Sequence, residues 1–174
     1  MTRVAVIGNA GGGKSTMARR LGAARDLPYH ALDLIQWRAG WQPVSQAEYD
    51  QRHDAIVAGD RWIVDGFGDM ASIDRRIAAA DTIVFVDHPL PVHLWWATKR
   101  QLRSLFTGRP DGPPGCPMWR KTVPLYRMIW SIHQTLRPQL LDKIAAAERA
   151  GKAIHHLRSP RELAAFERQY ARAA

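Results

Sequence analysis

Val4-Ala5-Val6-Ile7-Gly8-Asn9-Ala10-Gly11-Gly12-Gly13-Lys14-Ser15 stands almost at the start of the chain and decides how the rest is read. Its first four residues form an unbroken apolar run, as expected of a strand covered on both faces. The next eight follow the spacing G-x-x-x-x-G-K-S, and a helical pattern runs on from Lys14 to about Arg25. Glycines let backbone N–H groups curl inward toward phosphate oxygens. The helix that begins there adds the positive end of its dipole. The predicted phosphate site is Gly8, Gly11, Gly12, Gly13, Lys14, Ser15 and Thr16. Lys14 reaches the β and γ phosphates, and Ser15 ligates magnesium.

Outward from this loop the chain alternates. Strands are predicted at Pro28 to Leu32, Arg61 to Asp65, Thr82 to Val86 and Lys152 to Leu157. Between them lie helices from a Ser45–Glu48 capping box to about Ala58, from about Ser72 to Ala79, and from about Leu90 to Phe106. A second long helical stretch ends near Ala150, and Pro138 is expected to kink or break it. Ser159-Pro160-Arg161-Glu162 opens the last helix. Strands alternating with helices predict an α/β fold: a five-stranded parallel sheet covered on both faces. At 174 residues the chain reads as one domain, 1–174.

Ligands of such sheets bind at the carboxyl ends of the strands. Asp33, Asp65 and Asp87 are expected along that edge. Asp65, at the tip of a buried strand, is the predicted second support for Mg²⁺; Asp87 makes the same offer less strongly. Asp33 is placed to orient an acceptor hydroxyl or take its proton. Trp37 and Trp41 follow; they could wall an acceptor pocket by stacking, although core packing is the more frequent fate of such aromatics.

Thr107 to Arg120 is a loop rich in glycine and proline, long for a compact domain. From Lys99 to Arg127 seven basic residues face a single acid, Asp111, so that stretch holds +6 of the chain's +9. It is predicted to be a lid, about 99–127, whose Arg103 and Arg109 neutralise a transferring phosphoryl group. The excess of positive charge suits polyanions generally: nucleotides, nucleic acid or acidic lipids. A nucleic-acid-associated or regulatory NTPase is the alternative, less favoured because no nucleic-acid module is recognised. No apolar run approaches the length of a membrane span, and no membrane partner is expected. A lone Cys116, with no signal-peptide pattern, suits a reducing cytoplasm. None of the seven histidines has metal-ligand spacing, and none is assigned chemistry.

The chain resembles the adenylate kinase-like and shikimate kinase-like P-loop kinases. Within them it is most similar to the small bacterial topology modulation proteins, which are adenylate kinase-related. The resemblance rests on Gly8–Ser15, on His30-Ala31-Leu32-Asp33 with Trp37 and Gly40-Trp41, on Arg61–Gly66, on Asp81–Asp87, and on Gly151-Lys152 through Arg158–Glu162. It implies a P-loop NTPase fold of three α/β/α layers with a helical lid. It also implies ATP as phosphoryl donor with Mg²⁺, a small-molecule acceptor, and Arg158 near the adenine. Adenylate kinases follow the third strand with Asp-Gly-Phe-Pro-Arg, whose arginine holds the acceptor's phosphate. Here the run is Asp65-Gly66-Phe67-Gly68-Asp69. Arg38, Arg75 or Arg76 are the candidates to compensate, and a neutral, hydroxyl-bearing acceptor fits equally well.

Overall fold

The computed structural model describes residues 1–107, 115–117 and 121–171. Five strands form one parallel sheet: β1 (Arg3–Gly8), β2 (Tyr29–Ala31), β5 (Trp62–Asp65), β6 (Thr82–Val86) and β7 (Ala153–Leu157), in the order β2-β5-β1-β6-β7. The predicted α/β class and parallel sheet are therefore present.

Alternation along the strands builds the three layers. Ala5, Ile7, Val64, Ile83 and Phe85 face one way, and pack with Val57 of α3 (Gln46–Val57), Ile73 of α4 (Met70–Ala79), and Leu140 and Ile144 of α7 (Arg137–Arg149). Val4, Val6, Ile63, Val84 and Val86 face the other way. They meet Met17, Ala18 and Leu21 of α1 (Lys14–Arg25), and Leu163 and Phe166 of α8 (Pro160–Tyr170). Each fully buried Val, Leu, Ile, Met or Phe among them contributes about 1.5–3 kcal/mol. His155 and His156 obey the same rule: His155 stacks near Phe166 and Tyr170, and His156 near Phe85.

The expected caps form. Ser45 accepts from Glu48 N, and Ser159 from Glu162 N. Asp69 caps α4 in a reciprocal box with Ser72, so that helix starts two residues before the predicted Ser72. One expectation changes. The second strand stops at Ala31, and Leu32–Gln36 turns into a short helix, α2, so Asp33 sits on helical backbone. The long helical stretch is distorted just ahead of Pro138, as expected: Ile132–Leu136 widen into a π-turn between α6 (Thr122–Ser131) and α7. That places Pro138 in the first turn of α7, where its missing N–H costs little.

Past α2 the chain forms a small antiparallel hairpin, β3 (Trp37–Arg38) and β4 (Gln42–Pro43), closed by a 3-10 turn at Ala39–Trp41. α5 (Leu90–Thr107) and α6 pack together over the sheet's carboxyl edge.

Candidate active site

The loop between β1 and α1 is shaped from outside. Gly8 (φ 144°) passes so near β6 that a Cβ there would lie 2.2 Å from Val86 O. Gly11 (φ 70°) would meet His93 O of α5 at 2.3 Å, and Gly13 (φ 79°) would touch Trp96 and Leu163. L side chains avoid such φ values, and here they also lack the room. The glycine spacing thus serves packing as well as curvature.

Inside the loop, Lys14 is buried and its Nζ donates to Asn9 O at 2.6 Å. Asn9 Nδ2 donates to Ile129 O on α6 at 2.7 Å, while its Oδ1 accepts from Ala10 N at 2.8 Å. His93 approaches Ala10 O through Nδ1 at 2.9 Å. A carbonyl only accepts, so Nδ1 carries the proton. Burial, then the nearby Lys14 and His88, lower the pKa of His93 to about 4. The buried His88 is lowered too, by burial above all. The backbones of Gly12 and Arg158 approach its ring, yet neither ring nitrogen has a partner in hydrogen-bond geometry among the described residues. Both histidines are therefore neutral near pH 7, and the loop's positive charge is that of Lys14. Nothing in their spacing announced these roles.

The three carboxylates fare differently. Asp65 is buried at the end of β5, opposite Val6 of β1 and Ala31 of β2, with Tyr29 Oη 3.4 Å from Oδ2. Asp33, half-buried, lies just beyond Ala31, so the fold brings Asp33, Asp65 and the glycine loop to one edge. Ser15 is the second residue of α1, and Thr16 beside it is exposed. Asp87 is spoken for. Arg137 grips both its oxygens at 2.6 and 2.9 Å, and His156 Nε2 lies 2.9 Å away. The weaker metal offer read from its position gives way to an ion pair.

Three arginines considered as phosphate holders are also committed. Arg76 is fully buried and donates to Gly66 O (2.8 Å) and Phe67 O (2.6 Å), with burial lowering its pKa to about 10. Arg75 pairs with Asp50 and Asp54, and Arg38 with Glu48 at 2.6 Å. Asp69, where an arginine would stand in adenylate kinases, caps α4.

Of the two arginines assigned to a lid from the sequence, Arg103 lies on the exposed side of α5, and Arg109 lies outside the described residues. Arg158 follows β7, exposed, with its N–H given to Glu162 Oε2 at 2.8 Å. A contact invisible in the sequence joins the β3–β4 hairpin turn to residues far along the chain. Gly40 N donates to Gly115 O (3.2 Å), Trp41 N to Cys116 Sγ (3.2 Å) and Trp41 Nε1 to Pro117 O (3.1 Å). Trp41 holds a left-handed backbone, φ 62°, to do so. Trp37 lies edge-on to it at 5.8 Å, and Lys121 sits 5.6 Å from the Trp37 ring.

Among the described residues no three His, Cys, Asp or Glu side chains gather as a metal site, and no helix is long and apolar enough to cross a membrane. A magnesium ion would take the Ser15 hydroxyl and the Asp65 carboxylate, both hard oxygen donors, with phosphates and water completing its shell.

No family model matches the chain. Among solved structures it is similar to an unliganded sugar kinase from Janibacter sp., at 14% identity over 98% of this chain and 94% of that one, TM-score 0.50. It is similar to a gluconokinase from Sinorhizobium meliloti at 14% identity over 97% and 93%, TM-score 0.50. A shikimate kinase from Aquifex aeolicus aligns at 17% identity over 80% and 98%, TM-score 0.45. With its β2-β5-β1-β6-β7 parallel sheet and the glycine loop ahead of α1, the chain shares its overall α/β fold with the sugar kinase and the gluconokinase.

Proposed function

We propose that this protein transfers the γ-phosphoryl group of ATP, as its magnesium complex, to a hydroxyl of a small acceptor that carries no phosphate. The observation that carries the reading is the glycine cradle around Lys14, with Asp65 and Asp33 on the same sheet edge. Gly8, Gly11 to Ser15 and Thr16 bind the phosphates through backbone N–H groups, and Arg158 lies on the adenine side. Ser15 and Asp65 would hold magnesium, which would supply positive charge to neutralise the phosphate oxygens. Asp33 orients the acceptor hydroxyl and takes its proton. The acceptor oxygen bonds to the γ phosphorus as the bond to the bridging oxygen breaks, releasing ADP. Lys14 and Arg103 neutralise the charge that develops. Positioning and fixed electrostatics carry most of the acceleration in such chemistry.

The acceptor class is supported by the committed arginines. Arg38, Arg75 and Arg76 serve carboxylates or carbonyls of this chain, which favours a neutral hydroxyl over a nucleoside monophosphate. The test is ADP release from MgATP with sugars, polyols, nucleosides, hydroxy acids and nucleoside monophosphates, with Lys14→Ala as control. Turnover with a phosphate-free hydroxyl compound, abolished by Lys14→Ala, is expected. Turnover confined to monophosphates overturns the acceptor class. Background rates with every acceptor, despite tight MgATP binding, overturn the kinase reading.

A further inference from the structure

α5 and α6 pack their inner faces against the glycine loop, and their outer faces carry exposed apolar side chains. Thr98 Oγ1 meets Tyr126 Oη at 2.6 Å, and Gln101 Nε2 donates to Thr122 Oγ1 at 3.1 Å. Residue numbers rise on one helix as they fall on the other, so the helices run antiparallel. Their buried side is Ala97, Leu125 and Ile129, packed toward Ala10 of the glycine loop. On α5, Trp95 and Leu102 stand seven residues apart and share one outward stripe; on α6, Val123 and Trp130 do the same. Both stripes lie beyond the helix–helix contact from the buried side, so they flank one another on a single surface. Exposure there is 60% for Trp95, 59% for Leu102, 59% for Val123 and 56% for Trp130. A single exposed hydrophobe needs no explanation, but four large ones on one face do.

Charge selects the occupant. Lys99 and Arg127 are exposed on the same faces, and Lys99 Nζ lies 5.4 Å from the Trp95 ring centroid. Between Asp87 and Asp142 the sequence holds one acid, Asp111. Two such surfaces repel, which argues against a second copy of this chain. Leu102 and Val123 have no π-face on which a base could stack, which argues against nucleic acid. Tryptophan and aliphatic side chains set among lysine and arginine on helices lying side by side match the headgroup region of an anionic bilayer. We propose that the outer face of the α5–α6 hairpin docks on an anionic lipid surface, with the helices in the interface plane. No spanning segment is needed for this mode, so the lack of a long apolar run does not bear on it.

The test uses the full chain with vesicles of phosphatidylcholine alone, or of phosphatidylcholine with about a third phosphatidylglycerol to make the surface anionic. Sedimentation with the anionic vesicles, little with the neutral ones, and release at about 1 M salt are expected. Lys99→Glu with Arg127→Glu should weaken partition by about thirtyfold or more, each lost surface cation being worth roughly fivefold. Trp95→Ser with Trp130→Ser should also weaken it and should remove the fluorescence blue shift that accompanies binding. Both double variants should bind MgATP like the parent, which shows them folded. Equal partition to neutral and anionic vesicles, or none to either, overturns the proposal. So does binding to a DNA duplex in preference to vesicles, or a dimer in light scattering that the tryptophan variant abolishes.

Discussion

Asp87 and Arg137 are joined side-on, Nε to Oδ1 at 2.6 Å and Nη2 to Oδ2 at 2.9 Å, across the boundary between the sheet and the helix that returns from α6. The carboxylate side chain is only 5% exposed, the guanidinium 39%. Asp87 holds the pKa of Arg137 above its usual value. Removing the cation leaves a buried carboxylate with His156 as its remaining close basic partner. Arg137→Met should cost roughly 2 kcal/mol, below the range for fully buried pairs because Arg137 is partly solvated. Urea denaturation of both proteins at pH 7 checks the figure. An unchanged midpoint would mean that the pair contributes nothing net.

Gly11→Ala tests whether the loop's shape is imposed by α5. The backbone stands at φ 70° and the added carbon would lie 2.3 Å from His93 O. Left-handed backbone alone costs a β-carbon about 1 kcal/mol or more. The loop must shift, and MgATP affinity should fall at least about tenfold, since phosphate amides work only in register. Isothermal calorimetry reads the change, and parent-like affinity would show that the close contact is relaxed in solution.

His93 makes stability depend on pH. Its folded pKa, about 4, is below the unfolded value of 6.5. In that window the unfolded chain binds the proton and the folded chain does not. Stability is therefore full above pH 6.5 and is lost as pH falls toward 4. The drop from 6.5 to about 4 corresponds to roughly 3.4 kcal/mol at most. His88, lowered in the same direction, adds to the slope. Denaturation midpoints of parent and His93→Gln between pH 7 and pH 4 should converge as acid is added. A constant gap would place the titration elsewhere.

Asp33→Asn and Asp65→Asn should separate the two carboxylates under the proposed reaction. Asp33→Asn should lower kcat by about 10²–10⁴ with nucleotide affinity kept. Asp65→Asn should raise the magnesium concentration needed for half-maximal rate. Steady-state kinetics across a magnesium series tell them apart, and identical behaviour would remove the division of roles.

The central strands were legible because they are uniformly apolar, and the glycine loop because its chemistry needs a fixed spacing in a fixed context. The caps at Ser45 and Ser159 were legible for a similar reason, a polar oxygen three residues ahead of an orphan amide. What escaped depends on residues far apart in the chain. Asn9 reaches Ile129, Asp87 finds Arg137, and Trp41 finds Pro117. No periodicity encodes such pairs. The distortion ahead of Pro138 was legible too, though not its form, a π-turn at Ile132–Leu136 that lets α7 start afresh with the proline in its first turn. Asp33 was expected just past a strand, and the chain had already turned helical there.

The seam where Gly40 and Trp41 meet Gly115, Cys116 and Pro117 fastens the small β3–β4 hairpin, which follows Asp33's helix in the chain, to residues some 75 positions further on. Three hydrogen bonds at about 1 kcal/mol each would disfavour its opening by roughly a hundredfold. The hairpin is thus anchored from a distance, and the anchor is a tryptophan turned against its own backbone preference.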